Sequence, residues 1–215
     1  MTLHCAITYF DPETKSMGYL LGSDCRAVAK QPERPSEEEV FSVDKSFKGK
    51  KTVGFIRGTL NVSGESAQES FSGALESLER AFDDIDEGVD YSGVSVLSSS
   101  RYVLLIGKKS LNALELYTVS NQRDREKNMA QLMFRLTPKM YSTEDHTRVW
   151  YSPNSRDYFV IEVSEKLDVN RARDFLEKML AVPDAEVREL LSIKQGSDLG
   201  IPNIYQLDFQ GIKKI

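Results

Sequence analysis

Apolar and polar residues alternate from Leu3 to Phe10 with a period of two, and most are good β-formers, so the chain is predicted to open with a strand. Asp11-Pro12-Glu13-Thr14-Lys15 predicts a turn, because proline fixes φ and aspartate bonds its own backbone. Gly18 to Ser23 then pairs back as the second strand of a hairpin. Gln31 to Glu39 is polar, holds Pro32 and Pro35, and predicts an exposed loop. Residues 40–48 and 51–57 predict two further strands joined at Lys48-Gly49-Lys50. At this point the period changes. Phe71, Ala74, Leu75, Leu78, Ala81, Phe82 and Ile85 recur at helical spacing, and with Ser63 or Ser66 as cap they predict a helix from Ser66 to Glu87. Val94–Ser98, Tyr102–Ile106 and Ala113–Val119, separated by polar turns, predict an antiparallel meander.

The second half continues in the same mixture. Asp124 to Leu136 predicts a helix, with Met129, Leu132, Met133 and Leu136 on one face as core. Thr147–Tyr151 and Tyr158–Val163 predict a hairpin across Ser152-Pro153-Asn154-Ser155. Asp168 is placed to cap a helix whose buried face is Ala172, Phe175, Leu176, Met179 and Leu180, and Pro183-Asp184 opens another through Val187, Leu190, Leu191 and Ile193. The last strand is Asn203–Phe209, followed by an exposed tail, Gly211-Ile212-Lys213-Lys214-Ile215. Strands, a helix, strands, helices and a final strand make an α+β chain of mostly antiparallel sheets covered by helices.

Composition narrows this only a little. At 215 residues the chain reads as one domain, residues 1–215, able to bury roughly 70% of its unfolded surface. Apolar residues make up 40% and charged residues 28%, which is ordinary for a globular protein. A net charge of -5 and the lack of a Lys/Arg stripe argue against a nucleic-acid partner. No apolar run approaches the length of about 18 residues that a membrane helix needs, and no signal peptide precedes Leu3. Two cysteines, Cys5 and Cys25, make no disulfide framework, so two packed thiols and a cytoplasmic chain are expected.

The candidate chemistry gathers in the first forty-five residues. Thr2 stands directly behind Met1, Asp24-Cys25-Arg26-Ala27-Val28 follows the second strand, and Lys45 lies between apolar Val43 and Phe47. The arrangement resembles the proteasome β-subunit family of N-terminal-nucleophile (Ntn) hydrolases, whose chains open with threonine and carry Asp-Ser-Arg-Ala-Thr where this one has Asp24 to Val28. The resemblance implies a four-layer αββα sandwich, an N-terminal-threonine amidohydrolase or peptidase, possession of no metal or cofactor, a peptide or protein substrate, and homo-oligomeric rings.

The residues themselves bear on that chemistry. A threonine hydroxyl is a poor nucleophile and needs a base beside it. Removal of Met1 would give Thr2 a free α-amino group with an ordinary pKa of about 7.7–8.0, suited to take the hydroxyl proton and return it to a leaving group. A lysine buried between apolar strand neighbours needs a partner, and Asp24 is the evident one. By resemblance, Lys45 stabilises the developing alkoxide, Asp24 holds Lys45, and the backbone N–H of Gly58, or of Thr59 one residue on, supplies the oxyanion hole; Arg26 reads as structural, anchoring the turn after the second strand. Ala27, Val28, Val43 and Phe47 would shape the substrate pocket. Taken singly, each of these residues also has a plain structural role, as a strand-end ion pair or a surface lysine. The alternative function is a non-catalytic scaffold of the same kind, used for assembly or peptide binding.

Other constellations are thinner. His4 and His146 are the only histidines, too few for a convincing zinc site or a Ser-His-Asp triad, and a packed or solvent-facing role is expected for each. Trp150, Tyr151 and Tyr158 read as core or partner-interface aromatics. Gly54 to Gly58 lacks the lysine and hydroxyl of a phosphate-binding loop.

Overall fold

Alternation along the first residues builds the strand that the whole chain packs around. A computed structural model describes residues 3–31, 34–59, 72, 73, 75, 76, 78, 79, 101–124, 127–152, 158–181 and 202–215. Strand β1 (His4–Asp11) pairs antiparallel with β2 (Ser16–Ser23) across a turn that Asp11 ties, its Oδ1 accepting the Glu13 and Thr14 amides. Lys15, at φ 49°, closes the turn in the left-handed region.

The hairpin becomes the centre of a six-stranded antiparallel sheet. β10 (Thr147–Ser152) and β11 (Phe159–Val163) extend it on one side, and β12 (Asn203–Leu207) and β13 (Ile212–Lys214) on the other, in the order β11-β10-β1-β2-β12-β13. A second, five-stranded antiparallel sheet has the order β5 (Ser46–Lys48), β6 (Thr52–Thr59), β7 (Arg101–Lys109), β8 (Leu114–Asp124) and β9 (Lys127–Leu136). β3 (Arg26–Gln31) and β4 (Arg34–Ser42) form a separate two-stranded ribbon.

The two larger sheets stack face to face. Ala6, Phe10, Tyr19, Leu21 and Trp150 of the first interdigitate with Val53, Phe55, Leu105, Leu114 and Leu116 of the second. Period two sends the alternate residues outward. Leu3, Cys5, Ile7 and Tyr9 therefore line the other face of the six-stranded sheet, where helix α2 (Val169–Ala181) seats Ala172, Leu176, Met179 and Leu180. Asp168 caps that helix, its Oδ1 accepting the Asn170 and Arg171 amides at 2.9 and 3.0 Å. Gly22 lets it approach, since a Cβ there would lie 2.6 Å from Leu180 Cδ1. On the far face of the five-stranded sheet, Phe47, Ile56, Leu104 and Ile106 pack with Leu78, one of six helical residues between 72 and 79.

These observations correct the expected fold class. The described residues are mostly β: two antiparallel sheets, with the short helix α1 (Met140–Thr143) and α2, rather than the α+β, four-layer αββα sandwich with helical layers. One reason is β9. Its Met129, Leu132, Met133 and Leu136 fit a helical stripe, yet the segment pairs with β8 from Leu114↔Leu136 to Ser120↔Met129. The backbone bonds of the sheet outweigh a short periodic signal. Likewise the polar stretch Gln31 to Glu39, expected as a loop, largely joins the β3–β4 ribbon, and Ile212–Lys214 of the expected tail pairs with β12 as β13. The strand expected over 40–48 is divided at residues 43–45. The helix from Pro183 and the strand Val94–Ser98 lie outside the described residues, as does most of the helix expected from Ser66 to Glu87.

Candidate functional site

The N-terminal end of β1 meets the residues that follow β2 because the hairpin returns the chain to its start. His4 opposes Ser23 across the ladder, which carries Asp24 to Leu3. There the Leu3 amide donates to Asp24 Oδ2 in a short hydrogen bond, and the Asp24 amide donates back to the Leu3 carbonyl at 3.3 Å. The Ser23 hydroxyl donates to the Asp24 carbonyl at 3.0 Å. One residue on, Cys25 bonds to Val43 through its carbonyl, which brings in the segment carrying Lys45.

Lys45 Nζ donates to Asp24 Oδ1 at 2.7 Å, and the two side chains are only 3% and 0% exposed. One carboxylate thus accepts from the Lys45 ammonium on one oxygen and from the Leu3 backbone on the other. Charged groups out of water persist only where such bonds replace hydration. The Lys45 carbonyl accepts the Ile56 amide at 3.0 Å, fixing the lysine backbone against β6.

Along β6, apolar Val53 and Phe55 face the other sheet, and Arg57 continues that inward row at its end. Its guanidinium is buried, donates to the Ser152 carbonyl of β10 at 2.6 Å and lies 5.7 Å from the Tyr158 ring centroid. Burial lowers the Arg57 pKa from its ordinary value, though a guanidinium stays charged at neutral pH. His4, fully buried, shares this space. Its Nδ1 is hydrogen-bonded to the Tyr158 hydroxyl at 3.1 Å, and its ring tilts against Phe55 with centroids 6.4 Å apart. Burial first, then the charges of Arg57 and Lys45, hold the His4 pKa well below 6.5, with the Ile56 backbone acting in the opposite direction. His4 is therefore a neutral imidazole at pH 7.

Asp24 and Lys45 are thus brought together as their sequence positions predict. Gly58 lies on β6 two residues beyond Ile56, at φ 149°, a backbone conformation that glycine adopts readily and L side chains rarely do. Arg26, Ala27 and Val28 lie at the start of β3, opposite Ser42, Phe41 and Val40, and their side chains fall outside the described residues. Thr2 also lies outside them. Val43 is buried beside this group. Phe47 is buried elsewhere, on the outer face of the five-stranded sheet with Leu78 and Ile56, while the Ser46 hydroxyl points inward to Tyr205 OH at 3.2 Å.

Three participants were not singled out from sequence, namely Arg57, Ser152 and the Leu3 amide. Arg57 had a signal, a lone cation ending the apolar run Val53-Gly54-Phe55-Ile56. The other two act through backbone groups that every residue carries. Both thiols are free and buried: Cys5 packs under α2, and Cys25 Sγ accepts from Asn203 Nδ2 at 3.1 Å. Burial above all, with Asp44 adding to it, raises the Cys25 pKa, so it is a packed thiol rather than a nucleophile.

Chemically, the group offers a fixed ammonium, a carboxylate that orients it, and a neutral imidazole, all against the backbone of residue 3. No protein-family model and no curated protein matches this chain.

Proposed function

We propose that this protein is an N-terminal-threonine amidohydrolase, a peptidase or transpeptidase that acts through Thr2 once Met1 has been removed. The observation that carries the reading is the double use of the Asp24 carboxylate, which holds the Leu3 amide and the Lys45 ammonium at once. The Leu3 nitrogen is covalently joined to the Thr2 carbonyl carbon, so the residue named as nucleophile begins one bond from the atom that Asp24 grips. The freed α-amine takes the Thr2 hydroxyl proton as the oxygen attacks a substrate amide carbonyl. The Lys45 ammonium stabilises the oxygen as its negative charge develops, and the Gly58 N–H is the proposed donor to the tetrahedral oxyanion. Collapse expels the amine leaving group with the proton held by the α-amine. Water or a second amine then resolves the acyl-enzyme.

The substrate is a peptide or protein, and the compartment the cytoplasm, where Cys5 and Cys25 remain thiols. No helix among the described residues is long and apolar enough to cross a membrane.

The test is the intact mass of the purified chain together with a peptide-amide hydrolysis screen. A mass lacking Met1, with hydrolysis abolished in a folded Thr2→Ala variant and retained in part by Thr2→Ser, is the expected result. Hydrolysis by Thr2→Ala at the wild-type rate would refute the threonine mechanism.

One observation favours a second reading, a non-catalytic scaffold for assembly or peptide binding. One outer strand of each sheet, β9 and β11, carries two exposed large apolar side chains, Met129 and Leu132 on β9 and Phe159 and Val160 on β11. An apolar outer strand with no further strand beside it among the described residues is a place where another strand can add. A homo-oligomer by light scattering, from a chain that retains Met1 and cleaves nothing, would select this reading.

A further inference from the structure

We propose that His4 is a proton-sensitive positioning residue: while neutral it keeps the first residues of β1 seated against Asp24, and uptake of one proton there loosens that end of the strand. Its consequence for catalysis rests on the amidohydrolase reading, but the proton-sensitive seat does not.

The geometry carries the argument. His4 follows Leu3, whose amide is held by Asp24, and its ring occupies a fully buried space between the two sheets. Among the described residues, the charged and titratable groups facing that space are Lys45 with its partner Asp24, Arg57 from β6, and Tyr158 at the entry to β11. Two of them are already buried cations. Asp24 is engaged by Lys45 and the Leu3 amide, and burial raises the Tyr158 pKa, so that phenol stays neutral. Nε2 has no hydrogen-bond partner among the described residues. A third positive charge would therefore enter a space where it meets two like charges. The strain is relieved by moving His4 out to water, which draws Leu3 from Asp24.

The direction of the pH effect follows from linkage. The folded His4 pKa lies below the ordinary 6.5 of the unfolded chain. Below pH 6.5 the unfolded chain binds the additional proton and the folded one does not, so folding weakens as pH falls. With one proton of difference, the folding equilibrium constant drops toward about tenfold per pH unit over that window. Above it, His4 is neutral in both states and contributes no slope.

The chain has two histidines, which makes the experiment clean. Urea denaturation of the full chain is followed by circular dichroism from pH 8 to 5.5, for wild type, His4→Gln and His146→Gln. Glutamine retains a side-chain group that can bond Tyr158 but takes up no proton. Wild type and H146Q are expected to lose stability on the acid side of pH 6.5, and H4Q is expected to be flat there. An equal slope in H4Q overturns the proposal. Should H4Q fail to fold, the His4 imidazole proton resonance of H146Q decides: a ring that does not titrate down to pH 5.5 upholds it, and one that titrates near pH 6.5 overturns it. Turnover of a Thr2-dependent substrate, measured where the chain remains folded, keeps the acid limb set by the α-amine in every variant, and wild type and H146Q should show a further loss below pH 6.5 that H4Q lacks. If no substrate is turned over at any pH while the stability slope holds, the amidohydrolase reading falls and the proton-sensitive seat stands.

Discussion

At the scale of residues, Asp24 and Lys45 show how two neighbouring charges can be weak in net stability and strong in mutual dependence. Each is almost wholly out of water, so each has given up hydration that the other, and for Asp24 the Leu3 amide, helps to replace. Asp24→Asn and Lys45→Met should each destabilise the fold by about 3–5 kcal/mol, because each takes from a buried charge the opposite charge 2.7 Å away. The double variant should recover more than half of the summed loss, since it removes both members of the pair together. Urea denaturation of the four proteins completes the cycle, and strict additivity would mean that the pair is not coupled. The same two residues were legible in the sequence for the same reason, that an isolated lysine among apolar strand residues demands an acid. The rest of the group was less so. A buried histidine among buried cations can be recognised only once the strands bearing Arg57, Lys45 and Tyr158 have been brought together.

At the scale of elements, patterns were readable where a local period matches the buried face and misleading where a chance spacing competes with pairing to a strand. α2 is the clear case. Its apolar stripe, its capping Asp168 and the hairpin before it were all legible, and each has its expected place. Asp168→Ala should cost about 1 kcal/mol, read as a lower urea midpoint at unchanged slope, because two amides of the first turn lose their acceptor. β9 is the contrary case. Met129 and Leu132 satisfy a helical spacing, but both are exposed on an outer strand whose order comes from pairing with β8. Pairing depends on a distant segment, which local periodicity does not report. Close approach is similarly hidden in sequence. At Gly54 a Cβ would lie 2.2 Å from Phe47 Cζ and 2.9 Å from the Leu105 carbonyl oxygen, and the backbone atom cannot easily yield. Gly54→Ala should therefore destabilise by at least about 1–3 kcal/mol, the usual range for overpacking. A variant as stable as wild type would show that β5 can move away from β6.

At the scale of the whole molecule, the layers expected from helical stripes give way to two sheets that make one core between them. The sequence contained both sets of strands but not the pairing that joins residues 3–23 with 147–163 and 203–214 in a single sheet. Those contacts span nearly the full chain. Such a sheet is assembled only when its ends meet, so its order is set by tertiary contact rather than by any local run. Trp150, the sole tryptophan, sits in β10 with its ring 5.2 Å from Phe134 of β9 and 6.1 Å from Tyr19 of β2. Its fluorescence therefore reports contact between the sheets, while far-ultraviolet circular dichroism reports the strands themselves. Because Phe55, Leu105, Leu114 and Leu116 share one buried cluster with residues of the opposite sheet, separating the sheets exposes the core of both. The two signals should fall together in urea, with one midpoint and one slope. A fluorescence transition at distinctly lower urea than the loss of dichroism would mean that each sheet holds its strands without the other, and that the shared core is not what makes the fold cooperative.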